Sequence, residues 1–577
     1  YDKSTSNVPD EPIKKVYFEY DYSLCDGVPN WANEAAANKG KLTLKKIRFA
    51  YGKSKKAMLS PYVFEYAFNP DYNMLDINRW GGYKENECGL NNELFPYVKQ
   101  ADTTDTWASA WNLTKINLPS GGHINVSYES DDYAYVMDKS AMQMFQVAGA
   151  GSSTSFNPGY SFANNQLYDP NDKKSPPNLY IYFKLENSVS TLAELRNLYM
   201  PDNGLLAFRF MTHLKGRNEA ELMGGYAEID EIGFVSNNSS YGYVKLKPEE
   251  LWEKENRKSK QKVHPISREA WKYILANLSE KVYDQQQIAA DAGDPLPAIR
   301  ALLSSIGNVT DVFNGKYRTM MNAGFASYFK PDQSVIRLKS PSRARKGGGC
   351  RVSKIEMSDN WNNMAPLSST GTYGMSYDYT IENNESGITL ERISSGVATY
   401  EPAIGSEENP FKTPLYYTAY KSARFDKPNF NMRFLGSEEK YIEGPIGESF
   451  FPSPSVGYSQ VTVKSLATTQ DKGEGTGRSE NEFFTSKDFP VVVSQTALDP
   501  KKKGSNINLL LFKNKTLKLA NSQGYVIRLN DMNGKPKAMR SYSQYDPNPL
   551  SETQYKYRQN RQLIDGDSVD VLNNRVN

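Results

Sequence analysis

The sequence predicts a mainly β protein, built of antiparallel sheets in a sandwich-like or irregular scaffold and carrying one α-helical insertion. Three observations predict it. Thirty-nine tyrosines stand against three histidines, and many of the tyrosines recur at a spacing of two, the period at which side chains return to one face of a strand. Runs that alternate apolar with polar residues are separated by Gly, Pro and Asn clusters along most of the chain. Only between Pro248 and Lys330 does the period lengthen to that of a helix.

The first strand is Val16-Tyr17-Phe18-Glu19-Tyr20-Asp21-Tyr22, with rings at alternate positions. Further strands are expected at Leu42–Tyr51, Tyr62–Ala67, His123–Tyr128, Tyr180–Leu185, Leu205–Met211 and Tyr241–Leu246, which define a β-rich region over residues 1–247. Ala148 to Pro177 is rich in Gly, Ser, Asn and Pro and reads as a long exposed loop. In the insertion, residues 248–334, Trp271, Ile274, Leu275, Leu278 and Val282 form one helical stripe. Ile299, Leu302, Leu303 and Ile306 form a second, entered through Asp294-Pro295 and closed by Gly307. The charged stretch Glu249–Lys262 reads as a solvated helix or hinge.

A second β-rich region covers residues 335–577. Its strands are expected at Arg351–Met357, Tyr373–Ile381, Ile393–Tyr400, Val456–Leu466, Phe489–Thr496, Asn506–Phe512, Tyr525–Leu529 and Gln554–Tyr557. Asn533-Gly534 within NDMNGK favours a two-residue hairpin turn. The chain is long enough for roughly two to four domains and for sizeable cores without covalent staples.

Composition narrows function. Lysine plus arginine number 69 against 66 aspartates and glutamates, with both signs interspersed, so the chain lacks the broad basic footprint of a nucleic-acid binder. Lys258–Lys262 and Lys501–Lys503 are short basic clusters that read as solvated turns. Cys25, Cys88 and Cys350 lie far apart with no CxxC or Cys/His spacing, which argues against a zinc site and a disulfide framework. No apolar run reaches the length of a spanning helix, and YDKSTSNVPDEP at the amino terminus is not a signal segment. The expectation is a cytoplasmic protein or an excised or mature part of something longer.

Motif by motif, chemistry is sparse. Gly347–Gly349 precedes a strand and no helix, so it reads as a tight turn or bulge and not as a phosphate cradle. His123, His213 and His264 stand in no nucleophile-elbow context and read as structural or surface histidines. No catalytic, cofactor-binding or metal-ligating residue is assigned. Paired carboxylates remain the alternative: Glu129, Asp131 and Asp132 in YESDDYAYV, Asp230 with Glu231, and Glu407 with Glu408. Adjacent acids on a strand point to opposite faces, so each pair needs a partner from elsewhere. Asp565-Gly566-Asp567 followed by Asp570 supplies oxygen ligands of the kind calcium takes, without the full EF-hand spacing; no other cofactor is expected.

Several strings resemble a family of very large proteins of Bacteroidota. They are GKLTLKKIRFAYG (Gly40–Gly52), FNPDYNMLDINRWGGYK (Phe68–Lys84), LTKINLPSGGHINVSYESDDYAYVMDKSAMQMF (Leu113–Phe145), GGGCRVSKIEMSDNW (Gly347–Trp361), ISSGVATYEP (Ile393–Pro402), EGPIGESFFPSPSVGYSQVTVKSL (Glu443–Leu466) and FFTSKDFPV (Phe483–Val491). The resemblance covers most of the chain, and the block around Pro445–Tyr458 is its most distinctive part. Some members of that family carry Rhs or YD-repeat-like segments. The resemblance implies an internal piece of a longer polypeptide, exported to the cell surface or outside by the type IX route. This chain departs from an Rhs shell in lacking a regular YD repeat and in its helical insertion. No catalytic motif carries over.

The leading expectation is therefore a non-enzymatic β-scaffold region of a large exported protein, for surface attachment, display or delivery. Its partners would be other segments of the same polypeptide, cell-envelope proteins or surface glycans, with no nucleic acid and no membrane-spanning segment. A glycan-binding or glycoside-hydrolysing module is the second reading, and a component of the secretion or gliding machinery the third. Strands near the termini are expected to leave open backbone edges that invite association.

Overall fold

Alternation at a period of two builds one long sheet first. In the computed structural model, the described residues are 12–28, 39–85, 103–159, 165–252, 260–278, 281, 317–359, 372–383, 392–402, 413–422, 438–442, 455–466, 477–495, 506–509, 512–521, 525–528, 531–557, 559–564 and 567–572, apart from isolated positions. Strands β1 (Lys14–Leu24), β2 (Lys41–Tyr51), β3 (Tyr62–Glu65), β4 (Lys115–Asn117) and β5 (His123–Tyr133) pair in chain order, each antiparallel to the next. A short helix, α1 (Thr104–Ala108), buries Trp107 beside β5.

Past β5 the chain changes sheets. β6 (Tyr135–Val136) and β7 (Lys139–Ser140) form a small hairpin, and β8 (Met142–Gly151) then enters a closed barrel. The barrel continues with β9 (Tyr180–Lys184), β10 (Leu205–His213), β11 (Ala220–Phe234) and β12 (Tyr241–Leu246), with α2 (Leu192–Tyr199) between β9 and β10. Strands β8 and β11 were not legible in the sequence. Ala148–Gly151 belongs to β8, and described residues further along the expected exposed loop are anchored: Phe156 stacks on Tyr182 with ring centroids 4.5 Å apart, and Leu167 and Tyr168 are buried.

The ends of the charged stretch expected as a helix or hinge instead pair as a ribbon of β13 (Glu249–Trp252) and β14 (Lys260–Val263), while residues 253–259 lie outside the described residues. Charge placement explains the difference, since Glu250 sits opposite Lys262 across the ribbon and Glu249 pairs with Arg268 of the helix that follows. Helix α3 (Pro265–Asn277) follows as its stripe predicts, with Pro265 in the first turn and His264 as N-cap, its Nδ1 accepting from Ile266 N at 3.2 Å. Ile266, Ala270, Trp271 and Ile274 face the barrel core. The second stripe, Ile299–Ile306, lies outside the described residues.

β15 (Phe329–Lys339) begins ahead of Val335, where alternation first becomes legible, and closes the barrel between β10 and β8. β16 (Arg345–Ser358) then returns to the long sheet beside β5, and β17 (Thr372–Asp378) pairs with it. Gln460–Ser465, Arg478–Phe483, Pro536–Tyr542 and Ser551–Gln554 complete eleven strands. The two β-rich stretches thus share both the barrel and the long sheet.

Two turn and strand expectations change. Asn533-Gly534 does form a tight turn, with Lys535 N donating to Met532 O at 3.0 Å and Gly534 at φ +80°. Its flanking strands, however, belong to different sheets, so it is no hairpin. The last strand of the long sheet is Ser551–Gln554 and stops before Tyr555. Asp565 and Gly566 lie outside the described residues, while Asp567 and Asp570 stand on the strand Asp567–Leu572.

The barrel holds the main core: Phe145, Ile181, Phe183, Phe210, Ile232 and Phe329 inside it, joined by Leu195 and Tyr199 of α2 and Trp271 of α3. Trp271 is fully buried, and its Nε1 donates to Phe325 O at 2.7 Å. The Trp271→Ala variant is expected to lose about 3–5 kcal/mol of stability through the cavity it leaves, measured by urea denaturation.

Candidate functional site

The one acidic cluster that acquires converging partners is Glu129, Asp131 and Asp132 at the end of β5. Register explains how. β16 pairs with β5 through one irregularity between Val352 and Lys354, places Arg351 opposite Glu129 and Cys350 opposite Ser130, then slips again so that Lys346 sits opposite Asp132. The three residues absorbed by this bulge are Gly347, Gly348 and Gly349, all at positive φ. A Cβ on Gly348 would fall 2.4 Å from Val456 Cγ2, so the glycines serve close approach as well as backbone conformation. The expectation of a bulge at this position holds.

The bulge twists the strand pair enough for acids from both faces to reach one cation. Arg351 grips Asp132 with two bonds, Nη1 to Oδ1 at 2.7 Å and Nη2 to Oδ2 at 2.9 Å, and its Nε donates to Glu129 at 2.7 Å. The expectation that adjacent acids diverge therefore fails for Asp132. Tyr458 Oη accepts from Arg351 Nη1 at 3.0 Å and donates to Asp131. Above the guanidinium lie the rings of Tyr379 and Tyr458, 4.3 and 5.1 Å from Cζ. Ser394 Oγ donates to Asp132 Oδ1 at 2.5 Å. At the flank, Asp105 accepts from Ser130 N at 3.0 Å and pairs with Lys346 at 2.5 Å.

Burial pushes the Asp131 carboxyl above the usual carboxylate range; the Tyr458 hydrogen bond and the Arg351 charge pull it partly back, while Asp132 and Glu129 add to the rise. Burial also pushes the Cys350 thiol up to about 11, reinforced by Asp131 and opposed by the 3.3 Å bond from Asn112 Nδ2. A carboxyl with a raised pKa beside other carboxyls is an arrangement used in proton transfer. Here each of the three acids already has a donor within the fold.

The other acids do not assemble a second centre. Asp230 pairs with Lys245 at 2.7 Å and Glu231 accepts from Tyr243 Oη at 2.6 Å, while Glu407 and Glu408 lie outside the described residues. His264 is fully buried, its Nε2 lies 3.0 Å from Asn178 O, and burial holds it down to about 3. His213 lies at the end of β10 and His123 at the start of β5. Cys25 is a buried free thiol, Cys350 is a half-buried one, and Cys88 lies outside the described residues. No group of three or more His, Cys, Asp or Glu among the described residues is placed to hold a metal ion. No helix among the described residues is long and apolar enough to cross a membrane.

The chain matches no known family model, curated protein or solved structure with which it was compared. The site therefore stands on its geometry alone. Sequence reasoning singled out the acids but missed Arg351, Tyr379, Ser394 and Tyr458. Four separate strings, VSYESDDY, GGGCRVSKIEM, ISSGVATYEP and PSVGYSQ, supply Glu129–Asp132, Arg351, Ser394 and Tyr458 to this one centre, and no local spacing links them.

Because the Asp131 carboxyl titrates above its unfolded value, the stability it contributes is complete below an unfolded pKa of about 3.9 and is lost as pH rises through the folded value. Asp131→Asn is accordingly expected to exceed the parent in stability at neutral pH and to lose that advantage below about pH 4, in paired urea titrations. The raised Cys350 thiol is expected to alkylate about a hundredfold more slowly at pH 8 than an unhindered cysteine, as read site by site by peptide mass spectrometry.

Proposed function

We propose that the chain is a non-enzymatic β-scaffold region of a large exported protein, holding other parts of that polypeptide or presenting them at the cell surface. The observation that carries this reading is the closure of the acidic cluster on itself. Glu129, Asp131 and Asp132 are met by Arg351, Tyr458 and Ser394, and those partners come from distant parts of the chain. Such a network fastens strands together and leaves no acid of the cluster without an internal partner.

Two further observations support it. Tyr133 and Tyr135, which a glycan platform would present to solvent, are buried. Tyr133 donates instead to Glu401 at 2.6 Å, and Tyr135 lies beneath the Lys487 ammonium, 3.3 Å from the ring centroid. The side chain of Tyr416 lies outside the described residues. Tyr373 is exposed, and it sits with the exposed Met375 on β17.

If Arg351 is a fastener, Arg351→Ala should cost about 3–5 kcal/mol, because it strands half-buried carboxylates without their cation. Urea denaturation reads that loss. Alongside it, a polysaccharide panel is expected to show no turnover by the parent chain, and a glycan array no binding. Turnover abolished by Asp131→Asn in a folded variant would replace the scaffold reading with a hydrolase.

A further inference from the structure

β1 is the terminal strand of the eleven-stranded sheet, and among the described residues it pairs only with β2. Ile13 O accepts from Gly52 N at 2.9 Å, so the odd-numbered residues direct their backbone groups at β2. By alternation the even-numbered residues, Lys14, Val16, Phe18 and Tyr20, direct theirs to the open edge. The same residues share one face, with Val16 42%, Phe18 54% and Tyr20 54% exposed. The extra residue of the nearby bulge, Lys45, lies on β2, because Glu19 pairs with Lys46 and Tyr20 with Leu44. β1 itself therefore runs without interruption from Lys14 to Asp21. An uninterrupted, apolar and unpaired edge is the feature that proteins otherwise avoid.

We infer that this edge pairs with the same edge of a second copy of the chain, antiparallel about a two-fold axis through Phe18. In that register the outward backbone groups of residue 18 meet those of residue 18 in the other copy, and those of 16 meet 20. Side chains agree with the backbone. Phe18 meets its counterpart and Val16 meets Tyr20 on the apolar face, while Lys15 falls opposite Asp21 on the other face, twice by symmetry. Lys15 and Asp21 have no ion pair among the described residues, and Asp21 accepts hydrogen bonds from Ser23 alone there. Glu19, by contrast, is already paired with Arg48, which favours this register over one slipped by two residues that would place Lys15 opposite Glu19. The occupant is thus a second copy, joined edge to edge so that two long sheets become one.

Sedimentation velocity of the full chain across a micromolar range is the first test, and a reversible dimer is the expected result. Phe18→Pro removes an N–H that points away from β2, so the hairpin keeps its internal bonds while dimer dissociation should rise about tenfold or more. Lys15→Asp should weaken the dimer, and Lys15→Asp with Asp21→Lys in the same chain should restore it. A chain carrying Lys15→Cys and Asp21→Cys should form a disulfide joining position 15 of one copy to position 21 of the other, identified by peptide mass spectrometry. A monomer throughout, a dimer untouched by Phe18→Pro, a charge reversal that fails to restore, or a disulfide absent from a persisting dimer would each overturn the proposal.

Discussion

Everything in this fold depends on two passes of the chain that run side by side, β5 to β8 and β15 to β16, because each pass starts in one sheet and ends in another. Beside these passes, Arg337 of β15 and Glu401 form a buried ion pair at 2.5 Å, both side chains nearly inaccessible, and Tyr133 at the end of β5 completes it by donating to Glu401. Buried charges of this kind add little net stability over apolar residues of the same shape. Their removal one at a time is costly, so they dictate which arrangement is adopted. With this junction in place, the barrel and the long sheet are two ends of one pair of ribbons.

The Arg351 clamp is a second fastener a few residues further along the same ribbons. Its geometry follows from backbone freedom at three glycines. Only after β16 has absorbed Gly347–Gly349 can acids on opposite faces of β5 turn toward one guanidinium. The tyrosines complete it by supplying flat faces and hydroxyl donors, which is why rings abundant in the sequence recur as structural partners here.

The long sheet has a different character. Cross-strand registers carry one apolar row, Phe18 to Ile47 to Tyr62 and Phe64 to Ile116, Ile124, Met357 and Tyr373, along a single face. The opposite face carries ion pairs such as Arg48 with Glu19 and Arg540 with Glu552. A sheet so divided, with exposed rings at β1 and β17, suits contact with other protein surfaces. The barrel differs because α2 and α3 add to its apolar interior.

The sequence by itself determined the β character, most strand positions and the existence of α3, since these follow from periodicity and local capping, properties written within a few residues. It also marked the glycine bulge and the acidic string YESDDYAYV. It did not reveal β8 or β11, where MQMFQVAGAG and AELMGGYAEIDEIGF blur alternation with glycines and adjacent apolar residues. It misread the two ends of the charged stretch, Glu249–Trp252 and Lys260–Lys262, because cross-strand pairing depends on which strand lies opposite. Only tertiary structure decided that Asp132 turns toward Arg351, that Tyr458 arrives from more than three hundred residues away in the chain to bind Asp131, and that Tyr133 is buried. The physical reason is common to all three: register shifts and sheet crossings are long-range properties, and a period of two carries no record of the partner strand.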